Sequence, residues 1–168
     1  MQSVSRPAAA LQPKVGVGVL LVDAQDRVLL TLRRLPPEAG YWSIVGGKVD
    51  FLETLEACAI REAREEVGLE ISLHSLLCVT DHCLPGENQH WVSPAYLGQV
   101  LSGEAANCEP EKTREVCWFD LHRLPSNLTM TARNAIRANT HRRSAACSWG
   151  GADAIILVPL LRNPLPKP

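Results

Sequence analysis

Between Gly47 and Leu69 the chain reads GKVDFLETLEACAIREAREEVGL, and this stretch constrains everything around it. A glycine is followed after five residues by Glu53, and after seven more by Arg61-Glu62-Ala63-Arg64-Glu65-Glu66-Val67-Gly68-Leu69. From about Thr54 to Val67 there is no Pro or Gly and few β-branched residues, which favours helix. Thr54 suits an N-cap, Glu56 the positive end of the dipole, and Gly68 the position just past the C-terminus. On such a helix Glu62, Glu65 and Glu66 stand at i, i+3 and i+4 and share a face. Ala59, Ile60, Ala63 and Val67 form an adjacent apolar stripe that can pack on a sheet. Arg61, four residues before Glu65, can pair with it.

Carboxylates gathered on one patch repel each other, and a hard divalent cation removes that repulsion. Oxygen-only ligands suit Mg²⁺, with Mn²⁺ as a substitute. Mg²⁺ keeps several waters and shares its shell with substrate phosphates. One site can therefore activate water and screen a diphosphate. The alternative is a solvated acidic helix face.

A length of 168 residues fits one domain, and 46% apolar residues allow a sizeable core. A net charge of −1 with no extended basic run argues against a nucleic-acid partner. No apolar run is long enough for a signal peptide or a bilayer span, so no membrane association is expected. The six cysteines form no C-x-x-C pair, and free thiols in a reducing cytoplasm are expected. Cys78, His82 and Cys83 leave a weak zinc reading open.

Residues 1–13 read as a flexible tail. Val15 to Val22 and Arg27 to Leu32 read as two strands of a hairpin about the turn at Asp23–Asp26. Tyr41 to Val45 reads as a short strand entering a Gly46-Gly47 turn. Beyond the helix, strands are expected at Glu70–Thr80, His90–Val100 and Thr113–Asp120. His82–Gln89 reads as a loop, and Pro94 casts doubt on a strand centre or marks an edge. Ser126 or Asn127 can cap a second helix reaching about Thr140. Strands, helix, strands, helix imply an α/β fold with a mixed β-sheet between helices. Residues 141–168 form an extension without a clear pattern, in which Ala154–Leu161 can add a strand.

The full pattern G-x5-E-x7-R-E-U-x-E-E-x-G-U, with U apolar, fits at every position. On it the chain resembles the Nudix hydrolases, which cleave a nucleoside diphosphate linked to another group. The similarity spans about 14–140. The pieces KVGVGVLLV, GKVDFLET, ENQHWV, EPEK before Trp118, and Leu124-Pro125 resemble the MutT-type nucleoside triphosphate branch. The resemblance implies an α/β/α sandwich. It implies Glu62 and Glu66 as main metal ligands, and Glu65 as a further ligand and proton-accepting position; which glutamate is the base varies across the family. Gly46 matches a residue whose carbonyl joins the metal shell, Glu53 a carboxylate that assists or orients, and Arg61 a structural arginine. Arg33 matches a basic position that contacts phosphate, unless it is a solvated strand end. Glu109 or Glu111 can add a distant carboxylate. Trp42, His90 and Trp91 can line a base pocket, or be ordinary strand packing; His82, His74, His122 and His141 read as surface residues. Val45, Asp50 and Leu52 depart from the family's usual Pro, Glu and Gly, and Leu52 can alter the loop before the helix.

The implied activity is Mg²⁺-dependent hydrolysis of nucleoside triphosphates, including modified ones, to a monophosphate and pyrophosphate. Alternatives are a Nudix pyrophosphatase acting on ADP-ribose or another nucleoside diphosphate derivative, and a non-catalytic nucleotide-sensing module. The implied partner is a small nucleotide, and relatives in this branch often form homodimers.

Overall fold

The computed structural model describes residues 11–148. The strands are β1 (Lys14–Leu21), β2 (Arg27–Arg33), β3 (Trp42–Ser43), β4 (Val45–Lys48), β5 (Glu70–Leu84), β6 (Gln89–Ser102) and β7 (Thr113–Asp120). The helices are α1 (Leu55–Val67) and α2 (Met130–Ser148). One sheet runs β4-β1-β6-β5, with β1 and β6 parallel and the other pairs antiparallel; the second runs β3-β2-β7, all antiparallel.

β1 is buried along most of its length because it is central and covered on both faces. Its alternation sorts the core in two. Val17, Val19 and Leu21 face α1, meeting Ala59, Ala63 and Val67. Leu20, with Val28 and Leu30 of β2, faces α2, meeting Ala132, Ala135 and Ile136. The result is the expected α/β/α sandwich. α1 has the expected bounds. Thr54 Oγ1 accepts from Ala57 N–H at 3.1 Å, and Gly68, at φ 71°, donates to the Arg64 carbonyl.

Several expectations are corrected. β1 and β2 are not a paired hairpin. The Asp23–Asp26 turn closes, with Asp23 N–H donating to Arg27 O at 2.9 Å, but the strands part into different sheets after one bridge, Val22 to Val28. Gly46-Gly47 is not a turn but part of β4, paired with Gly18 and Val17. The expected His82–Gln89 loop shrinks to a 3₁₀ turn at Pro85–Glu87, because β5 continues to Leu84. Pro94 sits in a central strand, opposite Val79; the β1–β6 ladder lapses beside it, between the Val15–Val92 and Gly18–Ala95 pairs. α2 is capped by Thr129, whose Oγ1 accepts from Ala132 N–H at 3.2 Å, not by Ser126 or Asn127, and it runs past Thr140. Leu52 takes a φ of 66°, the conformation a glycine would favour there. The expected strand at Ala154–Leu161 lies outside the described residues.

Candidate active site

A cleft of about 460 Å³ opens where α1, β4 and the two sheets meet. α1 supplies Glu62 and Glu66 to it, β4 supplies Gly46, Gly47 and Lys48, and Arg33 and Lys112 bring positive charge. Glu62 is 9% exposed, and its carboxylate lies against the Cα of Gly47, in space a β-carbon would fill. Glu66 Oε2 accepts from Gly46 N–H at 3.0 Å.

Arg61 organises the outer edge. Its Nε and Nη2 grip Glu53 at 2.8 and 2.9 Å, and Nη1 donates to Glu62 Oε1 and Glu65 Oε2, both at 2.8 Å. This fork, with the Asp50 N–H, holds the Glu53 carboxyl down at about 2. Cys58 Sγ, beside the same network, is pushed up to about 12 by burial and by Glu53.

Glu66 moves the other way. Burial pushes it up to about 8, the Gly46 N–H opposes, and the Glu62 and Glu109 carboxylates add repulsion. Burial also raises Glu62. Glu109 places Oε1 on Lys112 Nζ at 2.6 Å, while its Oε2 is buried with no hydrogen-bond partner. Glu109, rather than the exposed Glu111, is thus the distant carboxylate that Glu66 feels.

The remaining residues separate. Arg33 lines the cleft and donates from Nε to the Pro37 carbonyl at 2.8 Å. Glu65, half exposed, and Glu53 lie outside the cleft lining and join it through Arg61. Trp42 does not line the cleft: it is core, edge-on to Phe119 with ring centroids 4.7 Å apart. His90 does not line the cleft, and its Nε2 lies 3.7 Å from Asp81, while its neighbour Trp91 does line it. His82, read as a surface residue, is instead 6% exposed and in the cleft wall. Sequence reasoning missed His82, Glu38 and Lys112. Lys112 carried a signal in the EPEK run, whereas the other two are brought in only by tertiary pairing.

Among the described residues no three His, Cys, Asp or Glu side chains form a ready ion cage. This removes the zinc reading through Cys78, His82 and Cys83; Cys83 is exposed while Cys78 is buried. It does not count against Mg²⁺, which takes only one or two carboxylates and completes its shell with water and phosphate. The donor set fits such an ion: oxygen ligands only, a glutamate whose charge is disfavoured by burial and repulsion, and an orphaned carboxylate oxygen.

A stability measurement checks this electrostatic picture. With chelator present, native Glu66 binds a proton up to about pH 8, against 4.5 for an unperturbed glutamate. The folded state then holds the extra proton, so stability falls as pH rises from 4.5 through 8. Glu53 acts oppositely, but only between about 4.5 and 2. Between pH 6 and 8 the metal-free Tm should fall by about 5 °C. Mg²⁺ should restore it, and Glu66→Gln should flatten the slope. An unchanged slope in that variant would show that other groups titrate.

The geometry and the chain's relatives agree on a class. Residues 12–138 match the model of the NUDIX domain, and the chain belongs to that family of hydrolases. A solved MutT NUDIX hydrolase from Burkholderia pseudomallei superimposes with a TM-score of 0.72 at 42% identity, over 76% of this chain and 98% of that one. The ADP-ribose pyrophosphatase of Methanocaldococcus jannaschii is 32% identical over 68% of this chain and 66% of its own length. The oxidized purine nucleoside triphosphate hydrolase of Danio rerio is 32% identical over 64% of this chain and 67% of its own. The chain spans two thirds or less of most of the curated relatives it matches, and as little as 36%. No helix among the described residues is long and apolar enough to cross a membrane.

Proposed function

We propose that the chain is a Mg²⁺-dependent hydrolase of nucleoside triphosphates, yielding a nucleoside monophosphate and pyrophosphate. The observation that carries this is one cleft that brings the paired acids Glu62 and Glu66 together with Arg33, Lys48 and Lys112, beside the carboxylate-bound Arg61. Acids alone would suit an ion, and cations alone a phosphate. Together they suit a metal-bound polyphosphate.

Glu62, Glu66 and the Gly46 carbonyl would hold Mg²⁺, or Mn²⁺ in its place, with Glu65 reached through the Arg61 network. When bound, the ion screens phosphate charge and acidifies water. Arg33 and Lys112 bind and orient the outer phosphates. Arg61 fixes the angle of Glu62. Glu53, with its proton affinity so low, orients Arg61 and is a poor proton acceptor at neutral pH. Glu62 or Glu65 is the better acceptor for the proton of the attacking water. The five described cysteines are free, which suits action in a reducing cytoplasm.

The test is a panel of canonical and oxidised dNTPs, NTPs, ADP-ribose and NADH with Mg²⁺, followed by chromatography. Triphosphates should give monophosphate and pyrophosphate, without direct release of orthophosphate. An ADP-ribose pyrophosphatase would give AMP and ribose 5-phosphate. A preference for ADP-ribose or NADH above about tenfold in kcat/KM, about 1.4 kcal/mol in transition-state binding, would overturn the triphosphate reading. Tight nucleotide binding without any turnover would favour a sensor.

A further inference from the structure

Toward α2 the cleft changes character: its wall there is formed by Glu38, His82, Ser43 and Thr131, with Ile44 and Trp91 as apolar surface. Glu38 is held there at some cost. It takes a left-handed φ of 58°. Its loop is pinned on all sides: Arg33 Nε donates to Pro37 O at 2.8 Å, Tyr41 N–H to Glu38 O at 3.1 Å, and Asn127 Nδ2 to Gly40 O at 2.7 Å. Glu38 Oε1 accepts from Met130 N–H at 3.0 Å, which anchors the side chain on the first residue of α2.

Capping α2 occupies only half of this carboxylate. Thr129 already supplies the side-chain cap, and the Met130 contact uses one carboxylate oxygen only. The other, Oε2, accepts no hydrogen bond among the described residues; the nearest ionisable partner is His82 Nδ1, at 3.9 Å. His82 is 6% exposed and likewise makes no side-chain hydrogen bond there. A fixed acceptor and a buried imidazole, both in one cleft wall and both without close partners, suit a ligand that supplies them.

The geometry points to Glu38 and His82 as the pair that reads the nucleobase, selecting a guanine-type edge. This rests on the nucleotide reading of the cleft. Guanine presents two adjacent N–H donors, the ring N1–H and the 2-amino group, to a carboxylate oxygen with open lone pairs. Its carbonyl can accept from an imidazole N–H. Adenine offers one amino group flanked by ring nitrogens, whose lone pairs repel a carboxylate. Ile44 and Trp91 supply the apolar surface that a purine ring needs.

The test measures binding of GMP and AMP by calorimetry, and kcat/KM for dGTP and dATP, in wild type, Glu38→Gln and His82→Gln. The Gln amide oxygen can still accept from Met130 N–H, so the loop keeps its anchor. Wild type should prefer GMP by about tenfold or more, the scale of one charge-assisted hydrogen bond. Glu38→Gln should bring the ratio within about threefold, because a carboxamide can also donate to adenine, and His82→Gln should lower it too. Equal weakening of GMP and AMP in Glu38→Gln, or an unchanged ratio, would overturn the assignment. Triphosphate hydrolysis with equal GMP and AMP binding in wild type would overturn the base reader alone. A GMP preference lost in Glu38→Gln, with no triphosphate hydrolysed, would overturn the hydrolase reading and leave the base reader standing.

Discussion

Glu62→Gln and Glu66→Gln should each lower kcat by at least about a hundredfold, with the fold retained, the scale on which a catalytic group acts. Both substitutions keep side-chain size and remove one negative charge from a site that needs it for a divalent cation. Stability should not suffer in metal-free protein. Burial raises both carboxyls, so their charge is a cost to the folded state that the amide avoids. Glu66→Gln keeps an oxygen for the Gly46 N–H, and Glu62→Gln keeps one for Arg61. Activity and Tm should therefore move independently, with kcat collapsing while the metal-free Tm holds or rises. Mg²⁺ should no longer raise the Tm of either variant. Wild-type turnover in either one would remove that residue from the metal site. A comparable loss of Tm would make its role structural.

The parts of this architecture that are encoded locally could be read from the chain. α1 carries both its caps, its apolar stripe and its acids within one segment, so Thr54, Gly68, Glu62 and Glu66 stand where periodicity and capping place them. Elements defined by distant partners could not be read this way. The residues Asp23–Asp26 make the same tight turn whether the following strand pairs back or crosses to another sheet, and only the β2–β7 ladder decides it. Gly46-Gly47 resembles a turn, yet the ladder with β1 makes it a strand. His82 is one polar residue on a strand. It enters the cleft only because β5 continues opposite β6, where it pairs with Trp91. Trp42 had the composition of a pocket wall, but β3 turns it inward onto Phe119. Sharing a helix face does not give equal depth: Arg61 holds the half-exposed Glu65 at the rim while Gly46 draws Glu66 in.

The two glycines of β4 should fail in different ways when given a methyl group. At Gly46 the backbone has a φ of 151°, and a β-carbon would run into the Val17 carbonyl oxygen and come 2.8 Å from the Gly18 Cα. Those are backbone atoms of the central strand β1 and cannot swing aside. Gly46→Ala should therefore cost about 3 kcal/mol or more of stability, from strain and overpacking together. For a chain of this size that lowers Tm by about 6–12 °C. At Gly47 the β-carbon would meet only the carboxylate of Glu62, the far end of a side chain that can rotate away. Gly47→Ala should keep most of its stability but lose activity by about a hundredfold, approaching the Glu62→Gln variant, because it displaces the same carboxylate. Combining Gly47→Ala with Glu62→Gln should then cost little beyond either change alone, since both act through one group. Thermal unfolding and kcat of the three variants decide it: a Gly46→Ala protein as stable as wild type would refute the packing of β4 on β1, and a fully active Gly47→Ala protein would show that Glu62 does not need the place it holds.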